Sequence, residues 1–251
     1  MKRLALLFSL IFIVSCSNND NDSQTVLLKQ LQVSGLTGQF TYTFNYYGTK
    51  LHKITCSDGT RQEYFYSDDE IKLIKHFNAA NNLIELYNFE YNSDNKLAIF
   101  QTTTFDGATS SVYKQLFNYL PNGTVLVNYS SGTIPDSNSK LIYFNGSEIS
   151  KEEFLDSSGA IFGNNQYTSD NKNNPMKNVI GYDKIAFAYN FEGSKGLMHN
   201  TLSYIFHSNN DPFDIIFNFQ ADYNESGFPN SIFPADFVTE NYDVNWYQFS
   251  Y

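Results

Sequence analysis

The chain is 251 residues long, carries a formal net charge of −10, and is 41% hydrophobic and 17% aromatic, with 19 Tyr and 23 Phe. That length suits one large all-β domain or two small ones, and the acidic balance repels phosphate backbones and excludes nucleic acid as a partner. Of the two cysteines, Cys16 directly follows an apolar leader and is committed there, which leaves Cys56 alone, so no internal disulfide is available and stability must come from a core.

Residues 1–15 read as a removable leader: Met1-Lys2-Arg3, an apolar run over 4–14, then Ile13-Val14-Ser15-Cys16. The run is too short for a bilayer core, which needs about 20 residues. Ser15-Cys16 at its end resembles the lipobox of bacterial lipoproteins, cleaved before a cysteine whose thiol carries diacylglycerol. That resemblance implies lipidation of Cys16 and anchoring at the outer membrane, each buried methylene holding by about 0.8 kcal/mol. Lys2 and Arg3 leave with the leader and no acidic residue does, so the mature charge moves from −10 to −12.

Residues 16–30 form the lipidated start and a polar, acidic tether without periodicity. Asn18-Asn19-Asp20-Asn21-Asp22 resembles the surface-export signal of Bacteroidetes lipoproteins, which favours cell-surface display over the periplasmic face.

From residue 31 onward one phrase recurs: an aromatic, any residue, Tyr, a turn of Asn, Asp, Ser or Gly, then aliphatics. It occurs as Phe44-Asn45-Tyr46, Tyr64-Phe65-Tyr66, Phe89-Glu90-Tyr91 and Phe117-Asn118-Tyr119, and more loosely at Tyr143, Tyr167 and Tyr223. The steps from Tyr46 through 66, 91, 119, 143 and 167 are 20, 25, 28, 24 and 24, the length of two strands and two turns. Asp58-Gly59, Asp106-Gly107, Asn122-Gly123, Asn145-Gly146 and Ser158-Gly159 supply turn chemistry between apolar runs. Strands alternate, with Tyr42, Phe44 and Tyr46 on one face and Thr43 and Asn45 on the other.

The expected fold is all-β: a long antiparallel β-meander of repeated hairpins, a dozen or so strands, curling into a curved sheet or barrel-like wrap with its aromatic face inside. It fills 31–251 as a single domain. Only 150–155 and 234–239 suggest a turn of helix, and 130–139, with Gly132 and Pro135, is the best candidate for a long loop. The gap from Tyr167 to Tyr223 departs from the repeat.

The phrase resembles the tyrosine-aspartate repeats of the Rhs family. The lipobox at Cys16, the phrases at Tyr46, Tyr66 and Tyr91, Asn173-Asn174-Pro175 and Gly227-Phe228-Pro229 together resemble Bacteroidetes lipoproteins of a family described as porin-like in fold. These motifs are turn and strand chemistry, and the resemblance implies a fold and an address, not an activity.

No catalytic motif survives inspection. His52, His76, His199 and His207 lack metal-ligand spacing, Asp68-Asp69-Glu70 reads as a solvated turn, Glu152-Glu153 as an exposed pair, and Cys56 as a small buried residue. No cofactor is called for. Tyr247, Phe249 and Tyr251 resemble the terminal strand of outer-membrane barrels, but the strands look short for spanning strands of about 9–11 residues.

The expected role is a non-catalytic binding or structural one. The partners are the membrane, through the lipid on Cys16, and a glycan or envelope protein. An exposed row of Tyr, or Trp246 on the polar face, would favour binding. The alternatives are an extracellular hydrolase acting on a polymer through carboxylates from separate strands, and a small outer-membrane β-barrel.

Overall fold

The structure is a computed structural model and describes residues 25–35, 38–189, 191, 196–209, 213–235 and 245–251. Cys16 and the first part of the tether lie outside the described residues. The strands are β1 Gln30–Gly35, β2 Gly38–Tyr47, β3 Lys50–Cys56, β4 Arg61–Ser67, β5 Glu70–Phe77, β6 Leu83–Tyr91, β7 Leu97–Asp106 and β8 Thr109–Tyr119. They continue as β9 Val125–Ser131, β10 Ile134–Asn145, β11 Glu148–Leu155, β12 Ile161–Ser169, β13 Thr201–Ser208, β14 Ile215–Tyr223, β15 Pro229–Pro234 and β16 Trp246–Ser250.

Every strand pairs antiparallel with its sequence neighbour, and β1 also pairs with β16, Leu31 opposite Phe249, so the meander closes into a barrel. The all-β expectation holds, and of the curved sheet and the barrel-like wrap the chain takes the second, since full closure leaves no unpaired edge. The stretch 150–155 is strand, inside β11, and 234 ends β15; residues 236–239 lie outside the description. The stretch 130–139 is a hairpin tip with an irregular register between Pro135 and Ser139. The long connection is instead 170–200, between β12 and β13. Val26 and Leu28 are already bound to the barrel, which puts the last residues of the 16–30 tether within the fold.

The recurring Tyr now has a mechanical reason. A register shift falls at the same place in three copies, between Asn45 and Tyr46, Phe65 and Tyr66, and Glu90 and Tyr91. The phenols reach the backbone of the preceding hairpin: Tyr46 donates to Leu28 O at 2.7 Å, Tyr91 to Ile71 O at 2.7 Å and Tyr119 to Leu97 O at 3.0 Å. Tyr66 instead accepts from Leu51 N at 3.1 Å. Lysines of the preceding hairpin cap these rings, with Lys72 4.4 Å from the Tyr91 centroid and Lys96 5.0 Å from that of Tyr119. Each phrase therefore fastens one hairpin to the one before it. Tyr91→Phe is expected to cost about 1 kcal/mol, the worth of one such bond, and to lower the urea midpoint without changing the slope.

The turns explain the abundance of Asn and Asp. The side chain of Asn92 accepts from Asp94 N and Lys96 N, Asp156 from Ser158 N and Ala160 N, and Asn224 from Ser226 N and Phe228 N.

Strand alternation sorts the wall. Leu31, Phe44, Ile54, Tyr64, Ile74, Phe89, Phe100, Phe117 and Val127 are buried inside. Between them Lys53, Glu63, Lys75, Glu90, Gln101 and Lys114 point outward.

Candidate functional site

A barrel of sixteen strands encloses more space than its own side chains fill. The described residues of this connection, 170–189, 191 and 196–200, start from the rim that carries the turns after β2, β4, β6 and β8, and those that are buried occupy one side of the lumen. Within them Met176, Val179, Tyr182, Ile185, Ala186, Tyr189, Phe191 and Leu197 are buried. Phe191 meets Tyr42 and Phe44 edge-on at 5.2 and 5.3 Å, Tyr189 packs on Tyr87 at 5.1 Å, and Phe187 meets Phe117 at 5.1 Å.

Polar contacts fix this insert at both ends. Asn174, fully buried, accepts from Met176 N at 2.9 Å, and its backbone N–H donates to Met198 O at 3.0 Å. Gly181 has φ +76°, and a Cβ there would sit 2.5 Å from Asp69 O, so only glycine fits against the β4–β5 turn. Lys184 reaches Glu70 at 3.2 Å, and Tyr189 donates to Gln62 at 2.8 Å. On the return, Glu148 of β11 accepts the N–H groups of Leu197, Met198 and His199 at 2.9, 2.8 and 3.0 Å.

The insert leaves a cavity of about 680 Å³ between itself and the opposite wall. That wall includes Tyr113, Gln115, Tyr129, Lys140, Glu152, Tyr167, Tyr204 and Tyr247, and the insert contributes Phe187, Ala188 and Phe191. Tyr113, at 39% exposed, lies toward the far rim, while Glu148 and Leu197 line the cavity near the rim of insertion. Rings of Tyr113 and Tyr129 lie nearly parallel, with centroids 5.9 Å apart and an angle of 19°.

At the cavity wall Glu152 is ion-paired with Lys140 at 2.7 Å, the two side chains only 10% and 14% exposed. Its second oxygen accepts from Tyr167 OH at 2.6 Å and Asn165 Nδ2 at 3.2 Å. Burial alone would raise the Glu152 carboxyl, but Lys140, Tyr167 and Asn165 outweigh it and hold the group below the ordinary carboxylate value. The phenol of Tyr167 is pushed up, by burial first and then by the Glu152 charge.

The expectation that Glu152-Glu153 is an exposed pair is corrected: both are buried, because β11 turns Glu152 into the lumen while Lys151 and Tyr143 cover Glu153 on the outside. Asp68-Asp69-Glu70 is a turn engaged with Lys50, Lys72 and Lys184. Among the described residues no three of His, Cys, Asp or Glu gather as a metal site. Cys56 is half-buried, and burial pushes its thiol up, the opposite of an activated nucleophile. Trp246 is exposed on the outer face beside Phe233. Sequence reasoning missed Lys140, Gln115 and Asn165; their signal was inward parity, Lys140 falling on the same face as Ile142.

This barrel is similar to solved structures. A porin-like protein from Bacteroides vulgatus superposes with a TM-score of 0.57 at 12% identity, covering 90% of this chain and 98% of that one. A porin-like protein from Bacteroides uniformis gives 0.50 at 9% identity, covering 89% and 97%. At these identities the likeness shows the fold: a porin-like antiparallel β-barrel. No protein-family model and no curated protein matches the sequence.

Proposed function

We propose that this chain is a lipid-anchored outer-membrane protein with a non-catalytic binding role, its barrel standing in water beside the bilayer. The observation that carries this reading is the polarity of the wall. A spanning barrel turns an apolar band outward and a polar face inward, and Lys or Arg at its midplane costs about 2–4 kcal/mol each. Here Phe44, Ile54, Phe89 and Val127 pack inside, and on the outer face the charged Lys53, Lys75, Glu90 and Lys114 interrupt the exposed apolar residues Phe65, Leu116 and Ile216. The described residues of the insert also fill one side of the lumen, which argues for a container rather than a channel. Likeness to porin-like proteins supports the envelope address through the fold.

The hydrolase alternative is less well supported, because both Glu152 oxygens are already engaged and Glu148 is saturated by backbone donors. Lipidation of Cys16 would tether the rim where residue 25 enters.

Cells fed a labelled palmitate are expected to label the wild-type chain and not Cys16→Ser. The purified protein is expected to give no conductance steps in a planar bilayer. Steady conductance would refute the water-facing reading, and equal labelling of Cys16→Ser would refute the anchor.

A further inference from the structure

We propose that the lumen cavity is a binding site for a neutral sugar of one or two rings, stacked against Tyr113 and Tyr129 and hydrogen-bonded by Gln115 and the phenols. This rests on the binding role proposed above and names its ligand class.

The cavity of about 680 Å³ lies within the range of small-molecule sites, roughly 300–1,000 Å³. A space wanted only as core would be lined by apolar groups, since burying an ion pair gains little over hydrophobic packing. This one keeps Lys140, Glu152, Gln115 and five Tyr at its wall.

Three polar ends remain available. Among the described residues the hydroxyls of Tyr113 and Tyr129 and the amide of Gln115 have no hydrogen-bond partner, and none is sealed from solvent. They project from adjacent strands, Gln115 directly opposite Tyr129. An amide that donates and accepts, beside phenols that do both, matches a ligand ringed with hydroxyls. The two nearly parallel rings add flat apolar faces. A pyranose needs this combination, because its axial C–H groups form an apolar face and its equatorial hydroxyls a polar rim.

Charge narrows the class. An anion would need an uncompensated cation, but Lys140 is paired with Glu152. A cation would need an uncompensated carboxylate, but Glu152 holds Lys140 and Glu148 holds three backbone N–H groups. A fatty acyl chain would cover the amide of Gln115 and the phenols of Tyr113 and Tyr129 and offer them no partner in place of water, which costs affinity.

The test uses the chain as purified from membranes in detergent micelles, titrated calorimetrically with glucose, galactose, N-acetylglucosamine, maltose and cellobiose. Laurate and choline serve as lipid-like and cationic probes. At least one sugar is expected to bind, Tyr129→Ala and Gln115→Leu each weakening it about tenfold. Tyr129→Phe, which keeps the ring and the fold, is expected to lose less than Tyr129→Ala. If laurate or choline binds and no sugar does, the sugar class is overturned while the binding role stands. If no probe binds, both readings fall. Sugar binding that Tyr129→Ala and Gln115→Leu leave unchanged overturns the location.

Discussion

Glu148→Ala is expected to destabilise the protein by about 3–5 kcal/mol, the cost of removing one partner from a buried charged network. The carboxylate is buried and gathers Leu197 N, Met198 N, His199 N and His199 Nδ1 at 2.9, 2.8, 3.0 and 3.2 Å. Alanine leaves those N–H groups without an acceptor where the chain turns back toward β13. Gly196 makes a substitute hard to find: its φ is +103°, and the turn brings it against His199 O so closely that no side chain fits. The loss is therefore expected as a release of the insert's return limb, exposing Leu197 and the lumen. Increased binding of a hydrophobic dye before the main urea transition would report that release. Glu148→Gln, which keeps an acceptor but not the charge, is expected to lose roughly half as much. A Glu148→Ala protein with an unchanged urea midpoint would mean the insert is held by its aromatic packing and its other polar contacts, without need of Glu148.

How far the fold could be read in advance follows from where its information lies. Hairpins are local, so Asn92, Asn122-Gly123 and Ser158-Gly159 announced their turns, and Tyr42, Phe44 and Tyr46 announced an inward face. A barrel-like wrap was one of two expected outcomes, and choosing it over an open curved sheet depends on one non-local pairing, Leu31 with Phe249, across nearly the whole chain. The insert was hidden. Met176, Val179, Tyr182, Ile185, Ala186 and Tyr189 follow helix-like spacing, but the turns they make are short and are ordered by the wall around them. The site was half legible. Once β10 and β11 are aligned, Lys140 and Glu152 sit on the inward parity set by Ile142, a buried charge pair in an otherwise apolar series. Read without that alignment, two adjacent glutamates look like an exposed pair.

Lys140→Met is expected to cost about 3–5 kcal/mol at neutral pH, because it strands the Glu152 carboxylate in the lumen wall. Its pH dependence should invert. In the wild-type protein the folded carboxyl titrates below its ordinary value of 4.5, so its contribution is present at neutral pH and disappears as pH falls below that value. Without Lys140, burial dominates and the folded carboxyl moves above 4.5; stability then falls as pH rises from 4.5 through the new value, and acidification from neutral restores it. Urea midpoints measured from pH 4 to pH 8 for the two proteins should therefore slope in opposite directions. The double variant Lys140→Met, Glu152→Leu removes both charges, while Asn165 Nδ2 still donates to Tyr167 OH at 3.0 Å. It is expected to recover most of the loss, since apolar replacement of a buried pair is often neutral. A double variant as unstable as the single one would make the pair part of the barrel's architecture. Recovery of stability together with loss of sugar binding would assign the pair to the cavity. A wall built only for strength has no need of a charge pair there, and one that orients a polar ligand does.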